Sequence, residues 1–151
     1  MKGFGVHTSM WTMSWDAEGA ARAIAAAKAN AMDFIEIALL DPASTDAALG
    51  RRLLDEAGLP SVCSLGLPQA VWASRNPDGA VDFLTLAIEK AAGLGAEALT
   101  GVTYGGIGER TGQPPTEAEL DNVARALERA AKVARRHGLS FGIEPVNRYE
   151  S

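Results

Sequence analysis

The sequence predicts an α/β fold, the N-terminal part (β1 to β5) of a (β/α)8 TIM barrel. Three observations predict it. Five short apolar runs of strand length are separated by four segments of helix length, most of them rich in alanine. The second, third and fourth of these helical segments each close on a glycine, at Gly58, Gly95 and Gly138, and the next apolar run follows at once. The fifth run has no helix after it before Ser151. Alternation at this rate implies parallel strands joined by right-handed crossovers. A five-stranded doubly wound sheet shares that pattern but would carry a last covering helix, so the better expectation is one incomplete barrel domain over residues 1–151.

The first strand is expected over 4–9 and the first helix over 17–30, with Asn30 in the closing position that glycine takes elsewhere. Strand two is expected over 33–39, strand three over 61–65, strand four over 96–103 and strand five over 139–146. Asn76 precedes Pro77, which places a capping side chain before a residue whose missing N–H costs nothing at the first helical position. Thr116 and Glu119 have the spacing of a capping box, and Pro114 and Pro115 keep the preceding segment out of the helix.

The composition bounds the function. With 47% hydrophobic and 22% charged residues, the 151-residue chain reads as globular. A formal net charge of -5 argues against nucleic acid as a partner, and the basic side chains Arg51, Arg52, Arg125, Arg129, Arg135 and Arg136 fall on helices, where a solvated face explains them. No run reaches the roughly 18 apolar residues of a membrane span, and the N-terminus starts directly on a strand pattern, so a cytoplasmic protein is expected. The single cysteine, Cys63, lies in an apolar strand and reads as core.

In a parallel fold the chemistry gathers at the carboxyl ends of the strands. Glu144 stands near that end of an apolar run, where a carboxylate is costly unless paired or bound to a metal. Glu150 follows six residues later and could converge with it on one small ligand; an ion pair of either with Arg148 is the competing explanation. Glu36 shares a face with Phe34 and Ala38 and either points into the interior or makes a structural hydrogen bond. His7 is a pocket residue or a satisfied core histidine, and His137 ends a helix, where the dipole accounts for it. Trp11, Trp15 and Trp72 fall in loops at the same edge, suited to stacking on a sugar or to packing between loops. The run Tyr104-Gly105-Gly106-Ile107-Gly108 lacks the full phosphate-binding pattern and reads as a flexible loop.

Five segments in order, GVHTSMW (5–11), DFIEIALLDP (33–42), VCSLGLP (62–68), LTGVTYGGIG (99–108) and IEPVNRYES (143–151), resemble the D-tagatose/D-psicose (allulose) 3-epimerase and L-ribulose 3-epimerase family of xylose isomerase-like barrels. The resemblance spans the whole chain. It implies a ketose 3-epimerase acting on free ketohexoses or ketopentoses, a divalent cofactor (Mn2+ or Co2+, with Mg2+ as a further option) and a homo-oligomeric parent. By the same resemblance Glu144 is a metal ligand and one of two acid/base carboxylates, and Glu150 hydrogen-bonds the substrate. Ser64, Gly101 and Val102 line the pocket, and His7 replaces a pocket aromatic. The family's other ligands, an Asp, a His and a second Glu, come from strands six to eight, so residues 1–151 alone are expected to be inactive. The alternatives are a related aldose–ketose isomerase, such as a hydroxypyruvate isomerase, and a non-catalytic half barrel that binds sugar or assembles with a partner.

Overall fold

The structure, a computed structural model, describes residues 3–147, 149 and 150. Its elements alternate as the sequence predicts. They are β1 (Gly5–His7), α1 (Ala17–Ala29), β2 (Phe34–Ala38), α2 (Ala47–Ala57), β3 (Ser61–Gly66), α3 (Pro77–Leu94), β4 (Ala98–Val102), α4 (Glu117–Arg136) and β5 (Ser140–Phe141). The strands form one sheet in the order β1-β2-β3-β4-β5, every pair parallel. The helices pack in sequence on one side, α1 on α2, α2 on α3 and α3 on α4. A sequential order with helices on a single face is a barrel arc; a doubly wound sheet would reverse its order and cover both faces.

Strand alternation divides the two faces. Ile35, Ile37, Cys63, Leu65 and Leu99 point to the helices and are buried. They meet Ala20, Ala23 and Ala27 of α1, Ala87, Ile88 and Ala91 of α3, and Ala126 and Ala130 of α4. The alanines explain themselves here, since a methyl group lets a helix sit close on the sheet while contributing apolar area. Burying one isoleucine such as Ile37 contributes about 1.5–3 kcal/mol. The basic side chains lie on the outer helix faces, for example Arg51–Asp55 and Arg52–Glu56 at helical spacing. Such exposed pairs add little stability.

The capping signals act as expected. The Asn76 side chain accepts from the Gly79 N–H, and Thr116 with Glu119 makes the reciprocal capping box. Asp16 and Asp46 cap α1 and α2 in the same way. Asn30 departs from expectation. It keeps φ -98, and the left-handed residue is Ala31 at φ 53, while the Asn30 amide donates back to the Ala26 carbonyl.

Four strands are shorter than expected: β2 and β4 lose two or three terminal residues, and β1 and β5 are cut back for identifiable reasons. β1 stops at His7 because Thr8–Met10 turns into a single 3-10 turn capped by the His7 side chain. Thr8 prolongs the β1–β2 connection instead, its buried hydroxyl accepting from the Ala38 N–H at 3.0 Å. β5 is regular only over Ser140–Phe141 because β4 bends at Gly101, which holds φ +99. A Cβ there would lie 2.3 Å from the Leu65 carbonyl oxygen, so only glycine fits this close approach. Past the bend the Gly101 carbonyl accepts from both Thr103 N–H and Glu144 N–H, each at 2.8 Å, and the Thr103 hydroxyl donates to the Gly142 carbonyl. The chain from 142 to 144 thus still runs beside β4 without a regular ladder.

Candidate active site

The concave face opposite the helices holds a cavity of about 590 Å3 at the carboxyl ends of the strands. His7 enters it from β1, Glu36 from β2, Ser64 from β3, Gly101 and Val102 from β4, and Glu144 from the segment after β5. The Glu144 N–H bond to Gly101 fixes the height at which its carboxylate stands. Trp72 closes one side, and Gly106 and Ile107 of the β4–α4 loop overhang the mouth. A second groove, about 680 Å3, lies between α4 and the segment after β5 and is lined by apolar side chains including Leu120, Val123 and Ile143. Its size does not make it the chemical site, for neither Glu36 nor Glu144 lines it.

Local hydrogen bonds set the state of these side chains. The His7 Nδ1 accepts from the Ser9 N–H at 3.2 Å and lies 2.6 Å from the Ser9 hydroxyl. An accepting Nδ1 leaves Nε2 as the proton-bearing nitrogen of the neutral ring. His7 is therefore a helix-turn cap as well as a cavity residue, a role its sequence position did not disclose. Ser64 is nearly buried. Cys63, its neighbour, points the opposite way into the core, and burial followed by the negative charge of Glu36 pushes its thiol up to about 12. That excludes it as a nucleophile at neutral pH.

Glu150 is set apart from the others. It is exposed on the loop after β5, outside the cavity lining, and its carbonyl accepts from Arg110. The ion pairs of Glu144 or Glu150 with Arg148 concern a residue outside those described. Trp15 does not belong to the rim: it is buried in the core against α2, while Trp72 is a cavity wall whose Nε1 donates to the Leu67 carbonyl. His137 forms the exposed cap of α4. The loop 104–108 is tied rather than loose, with the Leu67 N–H bonded to the Gly105 carbonyl and the Ala73 N–H to the Tyr104 carbonyl. Tyr104 also receives the Val146 N–H on its hydroxyl at 3.1 Å and so anchors the segment carrying Glu144. Sequence reading missed that function, although a tyrosine at a strand end is a natural place to look for a hydroxyl partner.

Among the described residues no three His, Cys, Asp or Glu side chains gather as a metal-binding group. Glu144 offers a hard oxygen donor of the type a divalent ion takes, but a single carboxylate leaves most of a first shell unfilled. The residues present do not make a metal site by themselves. No helix among the described residues is long and apolar enough to cross a membrane.

Residues 24–151 match the family described as xylose isomerase-like TIM barrel. The chain is 38% identical over 152 residues to an L-ribulose 3-epimerase of Methylomonas sp. (strain DH-1), covering 98% of this chain and 53% of the relative. It is 34% identical to a ketose 3-epimerase of Arthrobacter globiformis, covering 97% and 52%. The crystal structure of a D-allulose 3-epimerase from Methylomonas sp. in complex with D-allulose superposes with a TM-score of 0.92 at 36% identity, over 99% of this chain and 53% of that one. The chain spans about half the length of the curated relatives it matches.

Proposed function

This chain belongs to the xylose isomerase-like TIM barrel family, and on that premise we propose that it is the N-terminal portion, one incomplete barrel domain, of a ketose 3-epimerase. The observation that carries the reading is the strand-end cavity in which Glu144, His7 and Ser64 converge. Similarity to relatives named for L-ribulose, ketose and D-allulose 3-epimerisation supports the substrate class.

A ketose carries its carbonyl at C2, which acidifies the protons on both C1 and C3, and epimerisation uses the one on C3. Glu144 takes that proton, and the electron pair moves into an enediolate. The His7 Nε2–H and the Ser64 hydroxyl are donors suited to the sugar oxygens that gain charge. Inversion at C3 then needs a proton delivered to the opposite face, which Glu144 cannot reach, so a second acid from outside residues 1–151 is required. Val102 and the bent Gly101 form the wall on which the sugar lies, and a hydrogen bond from the substrate to Glu150 belongs to the same proposal for the whole protein. Metal dependence, with Glu144 as one ligand of Mn2+, Co2+ or Mg2+, belongs to the same proposal for the whole protein.

The test is Glu144→Gln in the full-length gene product. Turnover of D-allulose or L-ribulose, followed by NMR of the sugars, is expected to fall by about 10²–10⁴-fold, the usual worth of a positioned proton carrier. Far-UV circular dichroism should stay unchanged. Epimerisation within a few-fold of the parent would refute the assignment, and conversion of ketose to aldose instead would favour the aldose–ketose isomerase reading.

A further inference from the structure

Two adjacent residues of the β4–α4 loop, Glu109 and Arg110, carry opposite charges and reach in opposite directions. Glu109 Oε1 accepts the Ser74 hydroxyl at 2.9 Å and lies 3.6 Å from the Arg75 guanidinium. Its side chain is only 19% exposed, which makes this pair less screened than the helix-surface pairs. Arg75 in turn stacks over the Trp72 ring at 5.5 Å. Asn122 of α4 donates to the Ser74 carbonyl at 2.9 Å, holding the far side of the same joint. On the other side Arg110 donates to the backbone carbonyls of Tyr149 and Glu150. One dipeptide therefore bridges the loop after β3 to the loop after β5, and Gly106 and Ile107, which overhang the cavity, stand just before it.

We propose that Glu109 and Arg110 are positioning residues, a strap that sets the rim of the cavity by tying three strand-end loops into one unit. The consequence is that the two outer loops are coupled through the strap, by which Ser74 and Arg75 influence Tyr149 and Glu150. Its effect on turnover rests on the ketose reading of the cavity, whereas the strap itself rests on geometry alone.

The test uses the 15N-labelled full-length gene product. Glu109→Ala removes the bonds to Ser74 and Arg75 and leaves Arg110 in place, yet is expected to lower backbone order parameters at 105–107 and also at 149 and 150, from about 0.85 toward 0.6 or less. Glu109→Gln keeps an oxygen for the Ser74 hydroxyl and is expected to restore them. Arg110→Ala should loosen 149 and 150 while 105–107 stay rigid. With D-allulose as substrate, Glu109→Ala is expected to raise KM roughly tenfold with a smaller change in kcat, because the rim is displaced and Glu144 is not. Order at 149 and 150 that is unaffected by Glu109→Ala, or no rescue by Glu109→Gln, overturns the strap. Should Glu109→Ala unfold the protein, Ser74→Ala, which removes the same hydrogen bond from the other side, must give the same rim pattern. A parent protein that turns over neither D-allulose nor L-ribulose sinks the ketose reading, and the order parameters still decide the strap.

Discussion

At the scale of single residues, neighbours on one strand lead opposite lives. Ser64 faces the cavity and Cys63 the core, where burial and the charge of Glu36 hold the thiol protonated up to about 12. An unfolded cysteine ionises near 8.5. Below that pH both states keep the proton and the burial is undisturbed; above it the unfolded chain releases a proton that the folded chain retains, so stability falls from about pH 8.5 toward 12. Iodoacetamide at pH 8 is therefore expected to leave native Cys63 unmodified and to label it in step with denaturant unfolding. Labelling while the near-UV spectrum is still native would show the strand opening locally. His7 and Glu144 were legible from strand position, and Ser64, Gly101 and Val102 through the family resemblance; all five reach one cavity because the strand ends are one edge. Glu150 was less legible, since a loop decides where it points. Glu109 and Ser74 were not legible at all, for they stand 35 positions apart and no periodicity relates them.

At the scale of elements, helix signals could be read because caps are local. The capping bonds of Asn76 and Thr116 reach only three residues along the chain, so the sequence spells them out. Strand ends were less readable because a distant backbone sets them, as the Leu65 carbonyl does for the bend in β4 and hence for the length of β5. The joint between α2 and its neighbours shows the same dependence. Gly50 lies inside α2, where alanine would ordinarily stabilise a helix by about 1 kcal/mol. A Cβ at Gly50 would, however, lie 2.4 Å from Leu94 Cδ2 and 2.6 Å from Trp15 Nε1. Both side chains are buried, and the rigid indole cannot swing aside as an exposed side chain would. Overpacking of this kind costs about 1–3 kcal/mol, so it offsets or exceeds the propensity gain. Gly50→Ala is expected to lower the melting temperature by a few degrees, and a rise would show that Trp15 moves freely. Among the described residues the buried Trp15 Nε1 has no hydrogen-bond partner, so the indole shifts only against packing.

At the scale of the whole molecule, the arc leaves backbone and apolar surface open. Among the described residues β1 and β5 end the sheet, each paired on one side only. Unpaired N–H and C=O groups on such edges are templates for another chain. Beside β5, Leu120 and Ile143 are 56% and 54% exposed on the apolar groove against α4. Phe4, next to β1, is 82% exposed. An edge and an apolar patch at the same place favour association more than either alone, because pairing the backbone also buries the patch. Two copies cannot close cleanly on each other: five strands from each would make ten, and the tilt and stagger of this barrel suit eight. A polypeptide limited to residues 1–151 is therefore expected to form a broad, concentration-dependent distribution of species rather than a discrete dimer. Sedimentation velocity across a hundredfold range of concentration tests this, and co-expression with the remaining half of a barrel is expected to collapse the distribution to one species. A soluble monomer that melts cooperatively without a partner would mean that these edges are tolerated, and the incomplete-domain reading would fall with it.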